Sequence, residues 1–344
     1  MKHETSAKFC AMAAIVLGLG ISPLSAGPAL LFDASTQMVL YAEDYDDLWH
    51  PASLTKIMTA YVTFEAIEEG AVSLQSVIIC SSLASSQGPM KVGLRVGEKM
   101  TVEAALQALI VKSANDVAVV LAEAIAPSHQ AFVERMNATA ARLGMTHTKF
   151  VNANGLPATD QVTTARDMAK LASAVVRDYP QYAHFWSLLE AQVGKRRLHT
   201  HNGILTNYAG ADGMKTGFIC DSGFNVVASA TRDGHKLIAV VLGEATGAER
   251  TVRTANLLEH GFQVHGWKSM FSSYTVENLP TAENTKTTVT IPQKVISWVC
   301  GTGRAVPKTK KGQVATGRQG EQKTSAPSKR TTVAKKDASP WPSW

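Results

Sequence analysis

Cysteine is scarce in this chain: four occur in 344 residues, and one of them, Cys10, lies in the N-terminal apolar stretch. The others, Cys80, Cys220 and Cys300, are an odd number at irregular spacing, which excludes the disulfide framework of a small stapled domain. One pair among them can still oxidise, and a leftover thiol is at home as a small buried hydrophobe. No cluster of His or Cys has the spacing of a metal site, and no internal repeat is evident. The apolar run from Phe9 to Ile21 is shorter than the roughly 20 residues that a membrane-spanning helix needs.

That run has another use. Lys2, His3 and Lys8 precede it, and Pro23 with the small residues Ser25, Ala26 and Gly27 follows, the layout of a secretory signal peptide over residues 1–26. A membrane anchor is the competing reading, opposed by the length of the run. The mature protein is therefore expected outside the cytoplasmic membrane, in the periplasm or the cell envelope. Charge is also uneven. Residues 301–344 hold ten Lys and Arg against Glu321 and Asp337, a net +8, which leaves 24 basic and 26 acidic residues, a net −2, in residues 1–300. A basic tail rich in Ser, Thr, Gly and Pro cannot bury enough apolar surface to fold, so disorder is expected there. Export makes nucleic acid an unsuitable partner; anionic lipid headgroups or wall polymers fit the tail's charge, as does plain solvation.

With 45% hydrophobic residues the rest can bury a substantial core. Ala29 to Phe32 and Met38 to Tyr41 predict a hairpin about Asp33-Ala34-Ser35-Thr36-Gln37. Helical periodicity follows over residues 53–69, stopped by Gly70, and over Val102 to Leu109, Asn115 to Ala126, Gln130 to Leu143 and Thr164 to Arg177. The pattern then turns to β-rich runs at Phe224 to Ala230 and Lys236 to Gly243, joined by Asp233-Gly234, a strong hairpin signal. A closing helix is predicted from about Glu249 to His260, and weaker β-like character at Thr287 to Ile291 and Lys294 to Val299. Strands at both ends with helices between predict an α+β fold, an antiparallel sheet flanked by helices plus a helical cluster. The expected units are residues 27–262 as the main domain, 263–300 as an extension of undetermined structure, and 301–344 as the tail.

Three strings carry chemistry. Ser53-Leu54-Thr55-Lys56 opens a helix whose apolar positions cover much of its circumference. At i and i+3 the hydroxyl and the amine share one face, so a lysine made neutral by desolvation can take the serine proton. The same string also suits an N-capping Ser with a Lys reaching for solvent. Ser113-Ala114-Asn115 falls in the break between two helices, where a hydroxyl and an amide can project into a cleft or simply cap a helix. Lys215-Thr216-Gly217 precedes the first β-rich run. A bare glycine there lets a peptide approach the strand while the ammonium and hydroxyl bind its carboxylate, although Lys is also a common guard of an exposed edge.

In order and spacing, the three strings resemble those of the serine acyl-transferases that react with penicillin. The wider resemblance is to the D-alanyl-D-alanine carboxypeptidases, the low-molecular-mass penicillin-binding proteins of peptidase family S11. It rests on Pro51 to Ala60, Ser113-Ala114-Asn115-Asp116, Leu121-Ala122-Glu123, Leu143-Gly144-Met145, Asn154-Gly155-Leu156, Thr164 to Met168 and Asp212 to Phe218, and covers roughly residues 29 to 262. It implies a serine β-lactamase/DD-peptidase-like fold and a serine peptidase acting on the D-Ala-D-Ala end of peptidoglycan stem peptides, with β-lactams as covalent inhibitors. On that resemblance Ser53 is the nucleophile, Lys56 its base and Ser113 a proton relay. Asn115, Lys215, Thr216 and Gly217 hold the substrate, and the N–H groups of Ser53 and Phe218 form the oxyanion hole. No cofactor is implied, since the lysine base replaces any metal-bound water.

The chain departs from the family where Phe218-Ile219 stand in place of the His or Tyr, then Thr, of many relatives. Its basic tail also lacks the amphipathic face of their membrane anchors. A class A β-lactamase shares the acylating parts but needs a loop glutamate, and Asn154 to Asp167 contains none. A DD-endopeptidase and a wall-binding module without catalysis are the other readings left open by the sequence.

Overall fold

The computed structural model describes residues 27–271, 273–289 and 300. The expected signal peptide, the basic tail and Lys294 to Val299 lie outside the described residues, as do the last two residues of Thr287 to Ile291; residues 287–289 form no strand.

The predicted hairpin forms as β1 (Ala29–Asp33) and β2 (Val39–Glu43). A 3-10 turn over Ala52–Leu54 runs directly into α1 (Thr55–Glu68), which is buried on nearly every side. Next come β3 (Val77–Ile79), α2 (Ser82–Ser85) and β4 (Lys99–Thr101), then α3 (Val102–Val111), α4 (Asn115–Ile125), α5 (His129–Arg142) and α6 (Ala165–Asp178). The hydroxyls of Thr101, Ser128 and Thr164 accept from the backbone N–H three residues on and fix where α3, α5 and α6 begin. A 3-10 segment at Pro180–Ser187 leads to β5 (Glu190–Val193), β6 (Arg196–His199) and α7 (Gly203–Asn207). The chain closes with β7 (Ala211–Ile219), β8 (Gly223–Arg232), β9 (His235–Glu244) and α8 (Gly247–Phe271).

Five strands make one antiparallel sheet in the order β2-β1-β9-β8-β7. Its two faces follow from strand alternation. Leu31, Ala239, Val241 and Ala228 pack with Leu257 and Leu258 of α8, whereas Leu30, Phe32, Ile238, Val240 and Val227 join the larger core built from α1 and α3 to α6. Burial on both faces explains why Leu237 to Leu242 reads as an unbroken apolar run. The turn between β8 and β9 has both central residues at positive φ, Asp233 at 50° and Gly234 at 80°, as the Asp-Gly signal predicts.

Beyond the sheet the chain departs from the sequence reading. The closing helix does not stop near His260: Phe262 and Val264 keep packing on the sheet, and α8 runs to Phe271. Residues 273–289 then return over β2 and α6. There Val39 N–H donates to the Tyr274 carbonyl at 2.9 Å, and Arg166, paired with Asp46, donates to the Leu279 carbonyl at 2.6 Å. Of the cysteines, Cys220 and Cys300 form a disulfide and Cys80 is a buried free thiol.

Asn225 of β8 ties the sheet to the segment before α1. Its amide donates to the carbonyls of His50 at 3.0 Å and Pro51 at 3.3 Å, and its carbonyl accepts from Gly243 N–H at 2.9 Å, the last two bonds buried and the first partly so. Replacement Asn225→Ala should lower stability by about 2–3 kcal/mol, because two buried backbone groups and a partly buried one lose their partner. Urea unfolding measures this; a loss under about 0.5 kcal/mol would show that the segment is held by other means.

Candidate active site

The sheet's open edge, the 3-10 turn and the α3–α4 break meet at one place. β7 is an edge strand and lies against the turn carrying Ser53: a β-carbon added at Gly217 would come within 3.0 Å of the Pro51 carbonyl oxygen and 3.1 Å of the Ser53 and Leu54 nitrogens. Ile219 N–H and carbonyl engage Ser222 on the hairpin side, so by strand alternation the Phe218 N–H faces the open edge. The Ser53 nitrogen thus lies against Gly217, the residue before Phe218 on this strand.

Lys56 is fully buried one helical turn beyond Ser53. Its Nζ lies 2.9 Å from Ser53 Oγ and 2.7 Å from Asn115 Oδ1, and it also meets the Asn154 carbonyl. Burial pushes its pKa well below the ordinary lysine value, the nearby Lys215 charge pushes the same way, and Asp116 opposes them. A neutral amine has two donors and one lone pair. Asn115 Oδ1 and the Asn154 carbonyl can only accept, so the lone pair is left for the Ser53 hydroxyl.

A second amine and hydroxyl stand across the cleft. Lys215 Nζ donates to Ser113 Oγ and to the Thr216 carbonyl, both at 2.9 Å. Its pKa is lowered to about 7, first by burial and then by Arg250. Ser113 sits at φ 60° and Ala52 at φ 49°, left-handed conformations that cost non-glycine residues roughly 1–2 kcal/mol each and are sustained where the surroundings over-determine them. Phe218, at the family departure, packs its ring on Phe224 with centroids 4.3 Å apart.

The residues foreseen from sequence, Ser53, Lys56, Ser113, Asn115, Lys215, Thr216, Gly217 and Phe218, therefore converge. Others that build the site carried no assigned role. The buried Asp116 carboxylate accepts from the N–H groups of Val92, Gly93 and Leu94, and Asn115 bonds Gly88 and Met90, so one dipeptide of α4 holds the 88–94 wall. Gln161 Oε1 accepts from Val151 and Asn152 N–H and steadies the loop that presents Asn154. A cleft of about 330 Å³, lined in part by His50, Thr159, Ile219 and Asp221, opens beside the end of β7.

Comparison with known proteins finds relatives of one kind. The family model described as D-alanyl-D-alanine carboxypeptidase, peptidase S11, matches residues 20–246. The D-alanyl-D-alanine carboxypeptidase DacC of Escherichia coli K12 is 35% identical over 241 residues, 68% of this chain and 60% of the relative. DacF of Bacillus subtilis 168 is 33% identical over 239 residues, 68% of this chain and 61% of the relative. The match thus spans about three fifths of these relatives. Among solved structures, penicillin-binding protein 5 from Haemophilus influenzae superposes with a TM-score of 0.68 at 33% identity, covering 71% of this chain and 73% of its own.

Gly155 tests the packing that seats Ser53. At φ 81° it lies so close to the Ala52 carbonyl that any β-carbon would overlap it. The Gly155→Ala variant should lose about 3 kcal/mol or more, with the turn at 52–54 displaced. Thermal unfolding checks this; a variant within about 1 kcal/mol of the parent would refute the close approach.

Proposed function

Because the chain belongs to the D-alanyl-D-alanine carboxypeptidase family, we propose that it removes the terminal D-alanine from peptidoglycan stem peptides through an acyl-enzyme on Ser53. The observation that carries this reading is the buried Lys56 amine, 2.9 Å from Ser53 Oγ and with acceptor-only partners on its other sides. Ser53 Oγ attacks the penultimate carbonyl while Lys56 Nζ takes its proton. The resulting ammonium donates to Asn115 Oδ1 and the Asn154 carbonyl, which stabilise it without rearrangement. The oxyanion develops between the N–H groups of Ser53 and Phe218, each donor of this kind commonly contributing about 3–4 kcal/mol. The scissile C–N bond breaks as the proton reaches the leaving amine through Lys56 or Ser113, and water hydrolyses the ester.

Lys215 and Thr216 receive the terminal carboxylate at an edge strand where a peptide can lie antiparallel, Gly217 leaving room for it. The charge of Arg250, buried and close enough to act on Lys215, strengthens the local positive potential. Penicillins acylate Ser53 by the same steps and persist, because the loop from Asn154 to Asp167 offers no glutamate to activate water. The site lies within residues 27–262, taken as the catalytic unit. The N-terminal segment 1–26 serves as a signal peptide and places the enzyme in the periplasm or envelope, a reading supported by the Cys220–Cys300 disulfide, since such bonds persist in oxidising compartments. The net +8 of residues 301–344 suits contact with anionic wall polymer or lipid headgroups.

Incubation with a D-Ala-D-Ala-ended pentapeptide should release free D-alanine, and Ser53→Ala should cut the rate about 10³-fold or more and abolish labelling by fluorescent penicillin. No release by the parent, with a cross-linked dimer cleaved instead, would replace the carboxypeptidase reading by an endopeptidase.

The pH profile of kcat/KM should be bell-shaped, since the productive form has neutral Lys56 and charged Lys215. Activity rises with pH as Lys56 deprotonates and falls as Lys215 loses its proton, at about 7 in the free enzyme. Lys215→Arg keeps its charge and should move the alkaline limb upward. An alkaline limb unmoved by that change would assign it to another group.

A further inference from the structure

The end of the sheet remote from Ser53 carries a cluster that acyl transfer does not use. Asp33 closes β1, His235 opens β9 after the Asp233-Gly234 turn, and His265 lies on α8. Asn225 and Gly243, which tie the Ser53 segment to the sheet, sit at the opposite ends of β8 and β9. One ring nitrogen from each histidine and one carboxylate oxygen of Asp33 all lie within 4.8 Å of one another. His265 Nε2 is 2.9 Å from Asp33 Oδ2, and the two imidazole centroids are 4.2 Å apart.

The carboxylate is preset for its neighbours. Asp33 is fully buried, and its Oδ1 accepts from the N–H and hydroxyl of Ser35 at 2.9 and 2.6 Å and of Thr36 at 2.8 and 3.0 Å. Four donors on one oxygen fix the group and leave Oδ2 directed at the histidines, the outer-shell support that metal-binding carboxylates require. A simple His–Asp pair involves one imidazole. Here a second converges from another element, and it is exposed, so a fourth position stays open to water. Tetrahedral zinc, with bonds of about 2.0–2.1 Å, sets its ligand atoms roughly 3.3 Å apart, within small side-chain rotations of the observed arrangement. The neighbouring cations have other partners: Arg232 pairs with Glu259, Lys236 with Asp212, and Lys268 donates to the Leu40 carbonyl.

We propose that Asp33, His235 and His265 form a site for a divalent transition metal of the zinc class, which clips α8 to the end of the sheet. Two imidazole nitrogens and a carboxylate oxygen are the donor set that selects zinc over the hard cations calcium and magnesium. Positions 33, 235 and 265 are too dispersed for sequence spacing to reveal the cluster.

Calorimetric titration of the chelator-treated full chain with ZnCl₂ tests the site. One equivalent should bind and raise the unfolding temperature, while CaCl₂ and MgCl₂ do neither. Cobalt(II) should give the visible bands of a four-coordinate site. His235 is exposed, so His235→Ala should fold normally yet weaken zinc binding at least about tenfold, whereas the exposed His184→Ala leaves it intact. Absence of zinc binding, or an equivalent that survives His235→Ala and His265→Ala unchanged, would overturn the proposal. These readouts do not depend on D-alanine release, so failure here leaves the Ser53 chemistry untouched.

Discussion

The lysine amine inside the core is the constraint on which the structure around Ser53 depends. An ammonium without water is costly, and burial accordingly pushes the Lys56 pKa well below the ordinary lysine value. Asn115 Oδ1 and the Asn154 carbonyl take the two N–H bonds of the neutral amine, and the lone pair meets the serine hydroxyl. Once the proton arrives, the same acceptors serve the ammonium. The arrangement satisfies both charge states with the same atoms, as the role of base proposed for Lys56 requires.

That requirement propagates outward. α1 must be apolar nearly all round so that Lys56 stays dry, which is why its sequence lacks a polar face. The Asn154 carbonyl must be aimed inward, and Gln161 holds its loop while Gly155 lets it close on Ala52. Asn115 must keep its oxygen toward Lys56, which its amide secures by donating to Gly88. Lys215 is a cation placed near enough to weaken the hold of Lys56 on its proton, while Arg250 bears on Lys215 in turn. The sheet carries this assembly at one end and, at the other, the Asp33, His235 and His265 cluster, so chemistry and the proposed metal clip share strands without sharing residues.

Periodicity revealed the main sheet and the long helices because their burial is strongly patterned: Leu237 to Leu242 faces apolar layers on both sides, and Asp233-Gly234 can hardly be other than a tight turn. The hairpins β3–β4 and β5–β6 escaped, because strands of three or four residues with exposed Val77, Ile79, Glu190 and Arg197 leave no such imprint. The site's side chains were legible through three ordered strings, each ambiguous alone. The Asn154 acceptor was not, because a backbone carbonyl has no residue-type signature. Asp116 and Asn225 act by holding segments distant in sequence, which only the fold brings within reach, and Gln161 by bracing its own loop through backbone groups. The pairing of Cys220 with Cys300 likewise follows from the path of residues 273–289 back across α6, beyond what three irregularly spaced thiols disclose.

The protonation state of Lys56 tests the account most directly. With lysines carrying ¹³C at Cε, NMR titration of the parent should give two lysines below the ordinary value of about 10.4, Lys215 at about 7 and, assigned by the signal missing from Lys56→Met, Lys56 well below the ordinary value. A Lys56 resonance that titrates near that ordinary value would contradict the neutral base, and with it the mechanism built on Ser53.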